Sequence, residues 1–199
     1  RFRAAMAAPV PARAVLFQLY AFDIDVARAP WVTGEPMIAQ MRLQWWRDAL
    51  AEIAEGGVVK RHEVVTPLAL AIRAEDVPAL DRLVAARERD ISGERFADEA
   101  ALWSYLEATA GGLIEVAARR LGGGTAMAAS AGRALGLVNW LMAVPALRAA
   151  GRQPLPEGAD IAALAREGLV AFDVVGRGLP GLTASARGAF LPLAGFRGV

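Results

Sequence analysis

Residues Thr33–Ile53 read TGEPMIAQMRLQWWRDALAEI, and the periodicity of this run decides the fold class. Thr33 is a residue type that caps helix N-termini, and Glu35 in a first turn suits the helix dipole. Pro36 is tolerated there because first-turn amides have no intrahelical partner. At about 100° per residue, Gln40, Gln44, Arg47, Asp48 and Glu52 form one polar stripe. Ile38, Trp45, Trp46, Ala49, Leu50 and Ile53 cover the opposite side, so the run is an amphipathic helix packed on a core. Glu35 and Arg42 break the pattern, falling near the centre of the apolar face. A charge is seldom buried without a partner. The expectation is therefore a largely buried Arg42 hydrogen-bonded to Glu35; the alternative is that both border a polar cavity.

Composition agrees with a helical chain. Of the 199 residues 55% are hydrophobic, largely alanine and leucine, and the length suits one domain with a substantial core. A net charge of +1 gives no electrostatic reason to expect a nucleic-acid partner. The absence of cysteine removes disulfides, thiol nucleophiles and thiolate metal sites, and the single histidine, His62, cannot build a multi-histidine site. The N-terminal RFRAAMAAPVPARA lacks the long apolar run of a secretory signal, and a soluble cytoplasmic protein is the expectation.

Outward from the central run, residues 1–8 form a short helical piece stopped by Pro9 and Pro11, and Ala12–Ala29 a long helix carrying Val15, Leu19, Tyr20, Phe22 and Val26. Asp23 and Asp25 lie roughly 200° apart on it and cannot grip one cation from a single face. His62 precedes a short helix with Pro67 in its first turn, and its reading is structural. Residues 76–91 form a helix whose Arg87-Glu88-Arg89-Asp90 end reads as solvated. Asp98–Leu121 continues as a helix in which Gly111-Gly112 signals a kink or the close approach of another element. Gly122-Gly123-Gly124 lacks the lysine and hydroxyl of a phosphate loop. In Ala126–Arg148 the polar side chain of Asn139 stands alone from Ala134 to Leu147, a run too short to span a bilayer, which predicts a buried core helix. A weak helix at Ile161–Arg166 and a glycine-rich tail follow. The fold class is all-α, a single helical bundle.

Several stretches then line up in order: Leu19-Tyr20-Ala21-Phe22, Arg42 to Leu50, Thr109-Ala110-Gly111-Gly112-Leu113, Leu135 to Asn139, and Gly151-Arg152 with Leu155-Pro156. Together they resemble the squalene/phytoene synthase family, head-to-head prenyl transferases of the all-α isoprenoid synthase fold. The resemblance implies one domain over residues 1–199, lacking the C-terminal helices of the full family domain. It also implies two Asp-x-x-x-Asp motifs on facing helices, because aspartates at i and i+4 share a face and two such faces hold the Mg²⁺ ions that grip diphosphates. At the matching positions stand Ala27 and Trp31, and Ala143 and Leu147. The run Arg42–Arg47 and the preceding Ala-Pro-Trp-Val-Thr-Gly-Glu-Pro segment are similar to the motif-lacking branch that includes the mitochondrial respiratory complex I assembly factor.

The expectation is a pseudoenzyme: a non-catalytic binding or assembly protein with no cofactor. Its implied partners are a lipid or isoprenoid-like apolar ligand and respiratory-complex proteins, with peripheral contact at the inner membrane. Its candidate cavity residues are Tyr20, Glu35, Arg42, Trp45, Trp46 and Asn139. The alternative is an active prenyl transferase that condenses isoprenyl diphosphates and places Mg²⁺ with Glu35, Asp23, Asp25 or Glu115. A third reading is an unrelated helical binding module. For Tyr20, Arg42, Trp45 and Trp46 a plain role in the core of two packed helices stands beside the ligand-facing one.

Overall fold

The computed structural model describes residues 1–194, and every regular element among them is helical. Helix α1 (Phe2–Ala7) leads into α2 (Val10–Arg28), whose first turn absorbs Pro11, so the long helix starts earlier than the prolines suggest. A 3-10 turn at Ala29–Trp31 connects to α3 (Pro36–Glu55), which ends on Gly56 in a left-handed conformation at φ 70°. Thr33 receives a hydrogen bond from the Glu35 amide at 3.0 Å and forms a turn ahead of the helix, so the N-cap residue is Glu35. Helix α4 (Val65–Ala71) is capped by His62, whose Nδ1 accepts from the amides of Val64 and Val65 at 3.1 and 3.4 Å. That is the structural use its position predicts.

Helix α5 (Val77–Ser92) packs along α3, and α6 (Glu99–Leu106) begins where the Asp98 carboxylate accepts from the Ala101 amide at 2.7 Å. A π-helical turn at Glu107–Gly111 separates α6 from α7 (Gly112–Arg120). The sequence predicts a disturbance at this glycine pair, and α8 (Ala128–Ala149) crosses there. Helix α9 (Ile161–Gly178) then packs along α8, followed by the short α10 (Ala184–Arg187) and α11 (Leu191–Ala194). Residues 195–199 of the glycine-rich tail lie outside the described residues.

Three sequence expectations need correction. Helix α9 runs well past Arg166, because Leu164, Gly168, Ala171 and Val175 bury one face against the bundle and override the low helix propensity of its glycines. Helix α8 is buried on one side only; Asn139, Met142, Pro145 and Ala146 are exposed, so it forms a wall and not a core rod. Its extent with the preceding turn, Thr125–Ala149, has the length and mean hydropathy of a membrane span, yet it packs on the π-turn, α7 and α9. Glu35 and Arg42 are both exposed, and among the described residues neither forms an ion pair. Angle around a helix predicts burial only where another element stands opposite. Along α3 burial follows Ala39, Leu43, Trp46, Leu50 and Ile53, while the first turns of its other apolar side have no cover.

Candidate functional site

Between α2, α5, the α6–π–α7 segment, α8 and α11 lies a cavity of about 740 Å³. That volume is in the range of small-molecule sites. Its walls are mostly apolar, with Leu106, Leu113, Ile114, Leu135 and Leu191 among them. Small residues of α8, Gly136 and Ala143, are part of that lining.

One side of the cavity carries a charged cluster. Tyr20 and Asp23 come from α2 at i, i+3; Arg87 and Asp90 come from α5 at the same spacing; Tyr105 comes from α6. Arg87 Nη1 lies 3.2 Å from Asp90 Oδ2 and donates to Tyr105 Oη at 2.6 Å, while its Nη2 stands 4.0 Å from Asp23 Oδ1. The Tyr105 hydroxyl lies 3.0 and 2.9 Å from the Asp90 carboxylate oxygens and donates to that group. Arg1 Nη2 approaches Asp23 Oδ2 at 2.5 Å without hydrogen-bond alignment, leaving that oxygen, like the Tyr20 hydroxyl, buried and without a hydrogen bond. Burial works against the Arg87 cation, but the surrounding Tyr105, Asp90 and Asp23 hold its pKa above the ordinary guanidinium value. Burial first, and the neighbouring Asp90, push the Tyr105 phenol up, against Arg87. Burial likewise raises Tyr20 to about 12, so its phenol stays neutral at physiological pH.

Of the sequence-derived candidates, Tyr20 and Asn139 line this cavity. Glu35 and Arg42 do not, being on the exposed start of α3. Trp45 and Trp46 do not either. Their rings meet at 5.0 Å, and they join His62 and Phe22 in an aromatic cluster on the other side of α2, with centroids 4.9 Å (Trp45–His62) and 5.2 Å (Trp46–Phe22) apart. Trp46 is buried in the core, and Trp45 is partly buried against it. The sequence reading misses the Arg87–Asp90 pair, assigning it to a solvated helix end; Asp90 is only 5% exposed. The available signal is register: Leu80, Leu83, Arg87 and Asp90 recur at i, i+3, i+7 and i+10, which continues the buried face. Tyr105 is legible as an inward residue but not as the partner of that pair.

A family model for squalene/phytoene synthase matches residues 1–187. The chain belongs to the squalene/phytoene synthase family. No curated protein and no solved structure matches it. The all-α bundle is the isoprenoid synthase fold of that family.

The Mg²⁺–diphosphate grip that the resemblance implies calls for carboxylates on two facing walls of this squalene/phytoene synthase cavity. Trp31, Ala143 and Leu147 line the cavity wall and carry no side-chain oxygen. The carboxylates on the wall, Asp23 and Asp90, are engaged by Arg1, Arg87 and Tyr105. Asp25 is absent from the lining, and so is Glu115, which pairs with Arg119 at 2.5 Å. Among the described residues no group of three or more acidic, histidine or cysteine side chains converges as a metal site. A hard cation needs several oxygen ligands around one point, and this wall supplies a guanidinium there instead.

Proposed function

We propose that this squalene/phytoene synthase-family protein is a non-catalytic binding factor of the respiratory complex I assembly type, whose cavity holds an apolar, isoprenoid-like ligand. The observation that carries the reading is the side chain content of the cavity. Where the family resemblance calls for carboxylates stand Ala27, Trp31, Ala143 and Leu147, and the remaining wall acids are tied to arginine. Two diphosphates brought into such a groove would meet uncompensated like charge in a low-dielectric setting. Arg28, Arg148 and Arg152 could balance charge but cannot act as the Lewis acid that draws off the leaving group. An apolar chain meets no such penalty, and its burial there is favourable by roughly 25 cal/mol per Å².

The similarity of the Ala29–Arg47 region to the assembly-factor branch supports the assembly role, and the cytoplasmic face of the inner membrane is the compartment this implies. The test is incubation of the purified chain with farnesyl or geranylgeranyl diphosphate, Mg²⁺ and NADPH, followed by product extraction. No squalene, phytoene or presqualene-type product is expected. Steady turnover would overturn the reading. A parallel extraction of lipids that co-purify from native membranes should recover an isoprenoid-like species.

A further inference from the structure

Next to the cavity, the surface is apolar where a solvent-facing segment is ordinarily polar. Trp31 and Val32, in the connection after α2, are 47% and 46% exposed. Met37, Ile38 and Met41, in the first turns of α3, are 72%, 46% and 65% exposed. The last three recur at i, i+1 and i+4 and share one side of the helix. The Ala29–Trp31 turn packs against α3, so connection and helix make one continuous surface. Ile24, 40% exposed on α2, leads into it one turn before Arg28.

The charges around this patch have a dominant sign. Arg28 and Arg42, both exposed, bracket it in sequence, and Glu35 is the acid between them. The Arg152 guanidinium lies 4.9 Å from the centre of the Trp31 ring. Arginines with apolar stems beside exposed tryptophan and methionine can put their aliphatic parts in an acyl boundary while their heads stay among phosphates. Tryptophan prefers that boundary because its ring is apolar and its N–H is not.

We propose that the Trp31–Met41 surface docks on an anionic phospholipid bilayer. Trp31, Met37, Ile38 and Met41 enter the headgroup region, and Arg28 and Arg42 meet lipid phosphates. Two features favour a bilayer over a protein partner. The patch sets an exposed loop tryptophan beside exposed arginines, the combination that suits a headgroup interface. Trp31 also lines the cavity, so docking here presents the cavity rim to the phase in which apolar molecules are dissolved. The inference is independent of whether the cavity does chemistry.

The experiment is flotation of the purified chain with vesicles of phosphatidylcholine alone, or of equal parts phosphatidylcholine and phosphatidylglycerol. Binding to the anionic vesicles is expected, falling with added salt. Arg28→Gln with Arg42→Gln should weaken it by about twenty-fivefold, given roughly fivefold for each basic residue near an anionic surface. Met37→Asp with Met41→Asp should weaken it by more than tenfold. These positions are exposed, so all variants should retain the wild-type circular dichroism melt. No binding to either vesicle, or equal binding by wild type and the Met37→Asp/Met41→Asp variant, would overturn the proposal. So would light scattering that shows a dimer in solution abolished by the same methionine substitutions, since the patch would then be a protein–protein face.

Discussion

Gly132 of α8 and Gly111 at the end of the π-turn meet backbone to backbone. A Cβ on Gly132 would stand 2.5 Å from Gly111 Cα and 2.6 Å from its nitrogen, closer than real Cβ contacts come. The crossing of α8 over the α6–α7 segment therefore depends on Gly132 lacking a side chain; a Cβ on Gly111 would meet its nearest neighbour, the Ala128 carbonyl oxygen, at 3.3 Å. The crossing also sets the distance of the cavity's α8 wall. Gly132→Ala should force the helices apart, costing about 2–3 kcal/mol. Gly176, inside α9, provides the opposite control, because a methyl group there would have no neighbour within 4 Å. Gly176→Ala should stabilise by about 0.5–1 kcal/mol through helix propensity alone. Urea denaturation midpoints of the two variants should move in opposite directions.

Arg87 holds the charged side of the cavity together. Its side chain is 16% exposed and faces Asp23 and Asp90, which are 3% and 4% exposed. Arg87→Ala would leave the buried Asp90 without its cation and Asp23 with Arg1 alone, a loss on the order of 3–5 kcal/mol. Tyr105→Phe removes a single hydroxyl partner of Asp90 and should cost about 1–2 kcal/mol. Thermal and urea melts should rank the two in that order. Replacing Arg87 and Asp90 together with Met and Leu should recover part of the Arg87→Ala loss, because the uncompensated charge at Asp90 goes with its partner.

Tyr20 makes its contribution visible in alkali. Its phenol is raised to about 12 by burial, against an ordinary value of 10.0. A group with a raised folded-state pKa contributes stability that is complete below the unfolded value and is lost as pH climbs through the folded one. Stability should thus fall by on the order of 2–3 kcal/mol between about pH 10 and pH 12 on account of this residue. Tyr20→Phe should shrink that fall. At neutral pH the substitution should be neutral or slightly stabilising, since the hydroxyl has no hydrogen bond to lose. Urea titrations at about pH 9 and pH 11.5 on both proteins measure the difference.

Arg42 and Arg47 should respond to mutation in the order opposite to the sequence expectation. Arg42 is exposed and unpaired among the described residues, so Arg42→Ala should change the melting temperature very little. Arg47 donates to Asp81 through Nε at 2.8 Å and Nη2 at 3.2 Å, with Glu88 3.5 Å from Nη1. Both Arg47 and Asp81 are about a third exposed or more at the side chain, so solvent screening limits this fork to roughly 0.5–1 kcal/mol. A melt in which Arg42→Ala is the more damaging change would contradict the observed geometry.

How far the sequence reaches differs between fold and site. The all-α class follows from local periodicity alone: alternation near 3.6 residues through α2, α3, α5 and α8 leaves little room for strands. The glycine pair Gly111-Gly112 announces a close approach, since such a costly pair inside a helix needs a compensating contact. The structural role of His62 is legible because a helix start constrains its neighbours through local hydrogen bonds. That Trp31, Ala143 and Leu147 of the cavity wall carry no carboxylate is likewise visible by residue type. What one dimension does not supply is the identity of the element across from each face. Arg42 and Arg87 both lie on apolar helix stripes, yet one meets solvent and the other meets two aspartates and a tyrosine. Burial of a charge is decided by what stands opposite it, and the partners of Arg87 come from α2 and α6 as well as its own helix. That three-helix meeting, and the exposed apolar start of α3, exist only once the bundle has closed.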